Sequence, residues 1–143
     1  MKSIATVGGL GYFPVASGTL GSAVGVGRLW ILSGNPTQQI VGTLAAITLG
    51  LWSAGPAARA MKDPDPHPII IDEVAGMMLA LLLLPVRWPV YLAGFLLFRL
   101  LDIWKPGPIG WVERLPGSWG IMLDDLLAGL SVNLLLRLVL AVI

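Results

Sequence analysis

Five long apolar stretches, each closed by a turn rich in proline, glycine or charge, dominate this chain of 143 residues and leave it little choice of architecture. They run from about Thr19 to Leu32, Thr37 to Ala60, Ile69 to Val86, Trp88 to Trp104, and Ile121 to the C-terminus. Their lengths exceed those of ordinary strands and none alternates polar with apolar, so each predicts a helix. Thr37–Ala60 is the least polar; at about 1.5 Å per residue it is long enough to cross a ~30 Å hydrocarbon core. The second, fourth and fifth stretches hold too few polar residues to turn a face to water. A chain this short cannot hide five such helices from solvent within itself. The sequence therefore predicts an all-α fold, a compact bundle of about five helices embedded in the membrane, with residues 1–143 as a single domain.

Composition narrows the class further. Only 12% of residues are charged, against roughly a quarter in soluble domains, and mean hydropathy is +0.84. Nine basic and eight acidic residues leave a net charge of +1, which argues against a disordered chain and against a basic face for nucleic acid. Membrane lipids are the expected surroundings, and no nucleic-acid partner is expected. Cysteine is absent, so there is no thiol nucleophile and no thiolate metal site. The single histidine, His67, cannot supply a multi-histidine zinc site. Met1-Lys2-Ser3 opens a glycine-rich segment without the apolar core of a signal peptide, so membrane insertion is expected to use the mature helices.

The connections are uneven. Residues 1–18 read as a loop, Ser33-Gly34-Asn35-Pro36 as a tight turn, and Met61–Pro68 and Lys105–Gly120 as two long loops. The long loops and their flanks carry Arg59, Lys62, Lys105 and Arg114; the turn between Pro85 and Pro89 carries only Arg87, and that at 33–37 carries no charge. The positive-inside rule then puts the long loops in the cytoplasm, with five spans carrying the N-terminus inside and the C-terminus outside. The six tryptophans fall mostly near predicted helix ends, as an interfacial belt would.

All eight acids lie between Asp63 and Asp125. In the predicted topology Asp72, Glu73, Asp102, Asp124 and Asp125 gather at cytoplasmic helix ends, with the N-terminal loop on the same face. Five carboxylates converging without compensation repel, and Arg99 and Lys105 are too few to neutralise them. A hard divalent cation with oxygen ligands fits such a set, Mg²⁺ first. Plainer readings stand beside this one. Asp72, Glu73, Asp124 and Asp125 suit the first turn of a helix for its dipole alone, and Asp102 and Lys105 have the spacing of an i,i+3 ion pair. Asp63-Pro-Asp65-Pro has D-x-D spacing, with Asp65 a possible ligand and Asp63 a solvated turn residue; His67 in the same loop is a possible ligand contact. Glu113 with Arg114 reads as a local surface pair. Gly18 and Thr19 open the first long helix, where free N–H groups and a hydroxyl can hold phosphate oxygens.

Three blocks of the chain resemble the bacterial phosphatidylglycerophosphatase A family: Gly11-Tyr-Phe-Pro-Val-Ala-Ser-Gly-Thr-Leu-Gly21, Ile71-Asp-Glu-Val-Ala-Gly-Met77, and Phe98-Arg-Leu-Leu-Asp-Ile-Trp-Lys-Pro-Gly-Pro-Ile109 closing with Gly120-Ile-Met-Leu-Asp-Asp-Leu-Leu-Ala-Gly129. The last string is long and specific, and the resemblance spans roughly residues 8–130. Ser17 stands where the family usually has proline, Phe13 where it has serine, and Leu115-Pro-Gly-Ser-Trp119 replaces a stretch with paired glycines. The resemblance implies an all-α bacterial enzyme; together with the loop charges it leads to the expectation of a multi-pass protein of the inner membrane with its active site facing the cytoplasm. It implies Mg²⁺-dependent removal of the terminal phosphate of phosphatidylglycerophosphate, giving phosphatidylglycerol.

Asp72, Glu73, Asp102, Asp124 and Asp125 are then the expected metal ligands, with Glu73 a candidate base. Lys105 is the expected phosphate binder, Arg99 either orients Asp102 or binds phosphate, and Gly18 and Thr19 assist. Two rivals are weighed against this. A CDP-alcohol phosphatidyltransferase needs a D-G-x-x-A-R…G-x-x-x-D-x-x-x-D pattern that is absent, and a small cation transporter would carry its acids at mid-membrane.

Overall fold

The computed structural model describes residues 1–143. It contains seven helices and no strand: α1 (Lys2–Ala5), α2 (Ser17–Ile31), α3 (Pro36–Met61), α4 (Ile71–Leu81), α5 (Trp88–Trp104), α6 (Pro108–Val112) and α7 (Ser118–Val142), with a 3-10 turn at Leu10–Tyr12. The five expected stretches are α2, α3, α4, α5 and α7. The count of about five misses α1 and α6, which lie in segments read as loops. Each is little more than one turn, too short for an apolar period to show. α6 starts on Pro108, whose ring presets a helical φ where no N–H is needed. α3 is opened the same way by Pro36, and Asn35 caps it by accepting from Thr37 N and Gln38 N at 2.9 and 3.2 Å.

Five spanning helices are not found. Two helices, α3 with 26 residues and α7 with 25, are long and apolar enough to cross a membrane. α4 stops at Leu81 rather than Val86, and its 11 residues reach only about 16 Å. The chain leaves α4 through Leu83 at φ +57° and Pro85 before α5 begins. The five long helices alternate in direction. The end of α3 meets the start of α7, where Ser118 Oγ accepts from Gly55 N at 2.7 Å, and the start of α3 meets the end of α4, where Gln39 Oε1 accepts from Leu83 N at 3.1 Å. The starts of α2, α4 and α7 and the ends of α3 and α5 therefore share one end of the bundle.

α4 is the enclosed helix, with Val74, Ala75, Met77, Met78, Ala80 and Leu81 buried against α2, α3, α5 and α7. It lies backbone to backbone on α7, since a Cβ at Gly129 would stand 2.2 Å from the Gly76 carbonyl oxygen. The outer faces are unusually apolar for a helical protein: Leu96, Leu100 and Ile103 on α5 and Leu134, Leu138 and Val142 on α7 are all more than half exposed.

A polar knot closes the other end of α4. Asn133 of α7 is buried, and its Nδ2 donates to the carbonyls of Leu79, Ala80 and Leu82 at 3.0–3.1 Å. Arg137 donates from Nε to Asn133 Oδ1 and from Nη2 to Leu82 O. These bonds satisfy carbonyls that a helix ending among apolar neighbours would otherwise leave bare. Asn133→Leu is expected to cost about 2 kcal/mol by stranding them. Thermal unfolding in detergent checks this, with exposed Leu134→Ala as the control that leaves the midpoint unchanged.

Candidate active site

The shared end of the bundle carries the acids. Asp72 and Glu73 occupy the first turn of α4, and Asp125 faces them from the second turn of α7. Carboxylate oxygens of these three lie within 4.8 Å of one another. Asp72 and Asp125 are 8% and 2% exposed, and Asp72 Oδ1, Glu73 Oε2 and Asp125 Oδ2 are buried without any hydrogen-bond partner. Bare buried carboxylate oxygens are costly. Three of them converging is the donor set of a hard cation, and these residues fit a divalent ion with oxygen ligands. Burial, and after it the neighbouring charge of Glu73, raises Asp72 well above the ordinary carboxylate range. Burial also lifts Glu73 to about 8, aided by Asp125 and Asp102.

The other two expected ligands are engaged elsewhere. Asp102 pairs with Arg99, one turn earlier on α5. Asp124 Oδ2 accepts from Lys105 Nζ at 2.7 Å, and its Oδ1 accepts from the Asp125 amide. Lys105 thus pairs with Asp124 and not with Asp102. It also donates to Glu113 Oε1 at 2.7 Å, which corrects the reading of Glu113 as the partner of Arg114. α6 folds residue 113 back over the end of α5, a return that the short Gly107-Pro108 turn allows and that sequence distance conceals. Lys105 caps α5 in the left-handed region at φ +46°. Burial opposes its charge, but the bonds to Asp124 and Glu113 outweigh that and hold its pKa above the ordinary lysine value.

A cavity of about 660 Å³ encloses the set. Asp72, Glu73, Asp102, Asp124, Asp125, Arg99 and Lys105 line it, and Asp65, His67 and Gly18 are among the other residues of its wall. Ser17 Oγ donates to His67 O at 3.0 Å, tying the 63–68 loop to the start of α2. Burial raises Asp65 above its ordinary value. Asp63 accepts from the Asp65 amide at 3.1 Å, the turn role expected of it. Gly18 lets the start of α2 lie against these side chains: a Cβ there would stand 2.6 Å from Glu73 Oε1 and 3.0 Å from Arg99 Nη1, so both side-chain ends would have to shift. Thr19, expected beside it, points away: it is exposed and does not line the cavity. Its neighbour Ser17, which does line it, was not singled out from the sequence.

A second cavity of about 680 Å³ adjoins the first and shares Asp65 and Asp124 with it. Arg59, Lys62 and Arg114 line this one. From the sequence they orient the chain, Arg114 reading also as a surface partner of Glu113, and nothing in their spacing shows that α3, α7 and two loops bring them together.

Residues 3–140 match the family model described as Phosphatidylglycerophosphatase A. The chain is 36% identical to Phosphatidylglycerophosphatase A of Escherichia coli, over 85% of this chain and 72% of that protein. It is 33% identical to Phosphatidylglycerophosphatase A of Haemophilus influenzae, over 85% and 77%. It is 34% identical to a Bacteroides thetaiotaomicron protein provisionally named a phosphatidylinositol-3-phosphatase, over 88% and 84%. No solved structure matches.

Proposed function

Because the chain belongs to the phosphatidylglycerophosphatase A family, we propose that it hydrolyses the terminal phosphomonoester of phosphatidylglycerophosphate, releasing phosphatidylglycerol and inorganic phosphate. The observation that carries the reading is the buried trio Asp72, Glu73 and Asp125, with bare oxygens turned to one point of a cavity also walled by Arg99 and Lys105. Asp72, Glu73 and Asp125 would hold Mg²⁺. A divalent cation there supplies charge neutralisation for phosphoryl oxygens and a lowered pKa for water, the main needs of a reaction that is very slow unaided.

The chain's own groups supply the rest. Water adds to phosphorus as the bond to the glycerol oxygen breaks. Glu73, the least buried of the trio, is placed to take the water's proton, and the departing glycerol oxygen takes one in turn. Arg99, held against Asp102, and Lys105, held by Asp124 and Glu113, present positive charge to the phosphoryl group from the cavity wall. Asp102 and Asp124 act by fixing these two cations, and join the metal only if substrate displaces them.

The lipid nature of the substrate accords with the apolar exterior and with α3 and α7 as membrane-crossing helices. Lys2, Arg59, Lys62, Lys105 and Arg114 lie at the acid-bearing end, and Arg28, Arg87 and Arg137 at the other. By the positive-inside rule the site faces the cytoplasm of a bacterial inner membrane.

Purified protein is expected to release phosphate from phosphatidylglycerophosphate with Mg²⁺ and to lose that activity in EDTA, regaining it when Mg²⁺ is restored. Glycerol 3-phosphate and phosphatidylinositol 3-phosphate, assayed alongside, are expected to be poor substrates. Equal turnover of glycerol 3-phosphate would defeat the lipid reading, and undiminished activity in EDTA would defeat the metal.

A further inference from the structure

We propose that an outer groove between α2 and α5 holds an acyl chain of the lipid whose phosphate enters the acidic cavity. The proposal rests on the lipid-phosphatase reading above. The groove has a volume of about 230 Å³ and five lining residues, all apolar: Ala23 and Val26 from α2, and Tyr91, Leu92 and Phe95 from α5. The same two helices build the acidic cavity at their site ends, through Gly18 and Arg99. On α5, Phe95 stands four residues before Arg99 and Leu92 seven, so all three share one helix face. Along α5 the groove therefore begins one turn from Arg99, with Leu92 about 10 Å from it along the helix axis. Tyr12, Phe13 and Ile103 line the cavity mouth as exposed apolar side chains. The far end is backed by Trp30, whose ring packs edge-on against Tyr91 with centroids 5.6 Å apart.

This order of surfaces, charged at one end and wholly apolar at the other, matches one molecule with a phosphate head and a hydrocarbon tail. An acyl chain fits because the groove is open along its side. Leu92 is 48% exposed and Ala23 is exposed as well, so a chain can enter from the bilayer without threading through the protein.

The test uses the full-length protein in mixed micelles. Val26→Trp fills the groove, and Leu134→Trp, at an exposed position on α7, is the control. Substrates are phosphatidylglycerophosphate with long chains and the same lipid with two hexanoyl chains. Val26→Trp is expected to raise KM for the long-chain lipid about tenfold, equivalent to losing one or two methylenes' worth of contact. Its kcat and its KM for the short-chain lipid stay within about twofold, and Leu134→Trp changes neither. Ala23→Phe, whose ring need not enter the core, repeats the test should Val26→Trp fail to fold. An equal KM rise for both lipids, or the same rise at Leu134→Trp, overturns the proposal.

A second readout does not need activity. A long-chain lipid phosphate carrying a photoreactive group in mid-chain is expected to label α2 and α5 in the wild type and to spare them in Val26→Trp. Labelling spread evenly onto α7 means general bilayer contact and overturns the groove. A wild type inert on both lipids overturns the phosphatase reading instead, and the labelling then decides the groove alone.

Discussion

Asp125→Asn and Asp72→Asn are each expected to lower phosphate release by about 10³-fold, roughly 4 kcal/mol of barrier, while leaving the protein as stable as the wild type or more so. The two halves of this prediction come from one geometry. Each substitution keeps the side-chain volume and removes one charge from a trio packed within 4.8 Å. Neither residue makes a salt bridge, and each has a buried carboxylate oxygen with no protein partner. Folding gains nothing from a bare buried charge; removing one relieves desolvation and mutual repulsion. A carboxylate kept for structure would behave oppositely, since losing it would lower stability along with activity. Phosphate release and thermal unfolding, each with and without Mg²⁺, separate the cases. Loss of both activity and Mg²⁺-dependent stabilisation, with the metal-free midpoint level or raised, is the expected pattern. Near-full activity in either variant removes that residue from the site.

Much of this site could be read before the fold was known, and the reason is physical. Acids are so costly among apolar helices that Asp72, Glu73, Asp102, Asp124 and Asp125 are expected toward helix ends, and alternating helices put those ends together, although Asp124 and Asp125 stand in the second turn of α7 rather than its first. The five long helices were legible for the same reason: apolar runs of that length have no other stable form. What could not be read was pairing. Arg99 lies at i,i−3 to Asp102 and Lys105 at i,i+3 on the other side, and only the left-handed turn at Lys105 decides between them by swinging its amine toward Asp124 and Glu113. Thr19 and Ser17 are two residues apart, and the actual start of α2 decides which of them meets the 63–68 loop. The Asn133–Arg137 knot was hidden because it answers a break in α4 that its apolar sequence runs straight through. Local pattern reports which residues cannot face an apolar surrounding; the partner each one takes is set by backbone turns of one or two residues.

Lys105 is where the division between holding the fold and handling phosphate can be measured. Lys105→Met keeps the apolar stem and removes the charge, leaving Asp124 buried at 7% side-chain exposure with its Oδ2 unpaired. Stranding a buried carboxylate costs several kcal/mol, but Lys105 keeps a quarter of its side chain exposed, so water screens part of the loss and about 2–3 kcal/mol is expected. Asp124→Asn added to Lys105→Met removes the stranded charge and should recover most of that stability, giving a coupling of about 1–2 kcal/mol in the double-mutant cycle. Activity should not follow. If the amine serves phosphate as well as Asp124, the double variant stays about 10²-fold or more below wild type with its stability largely restored. Arginine at 105 keeps a charge but replaces a compact donor with a planar fork, and is expected to restore stability more than turnover. Parallel recovery of stability and activity in the double variant would make Lys105 a clamp for Asp124 alone. The cationic wall of the site would then rest on Arg99, whose own partner Asp102 lies on the same helix and needs no loop to hold it.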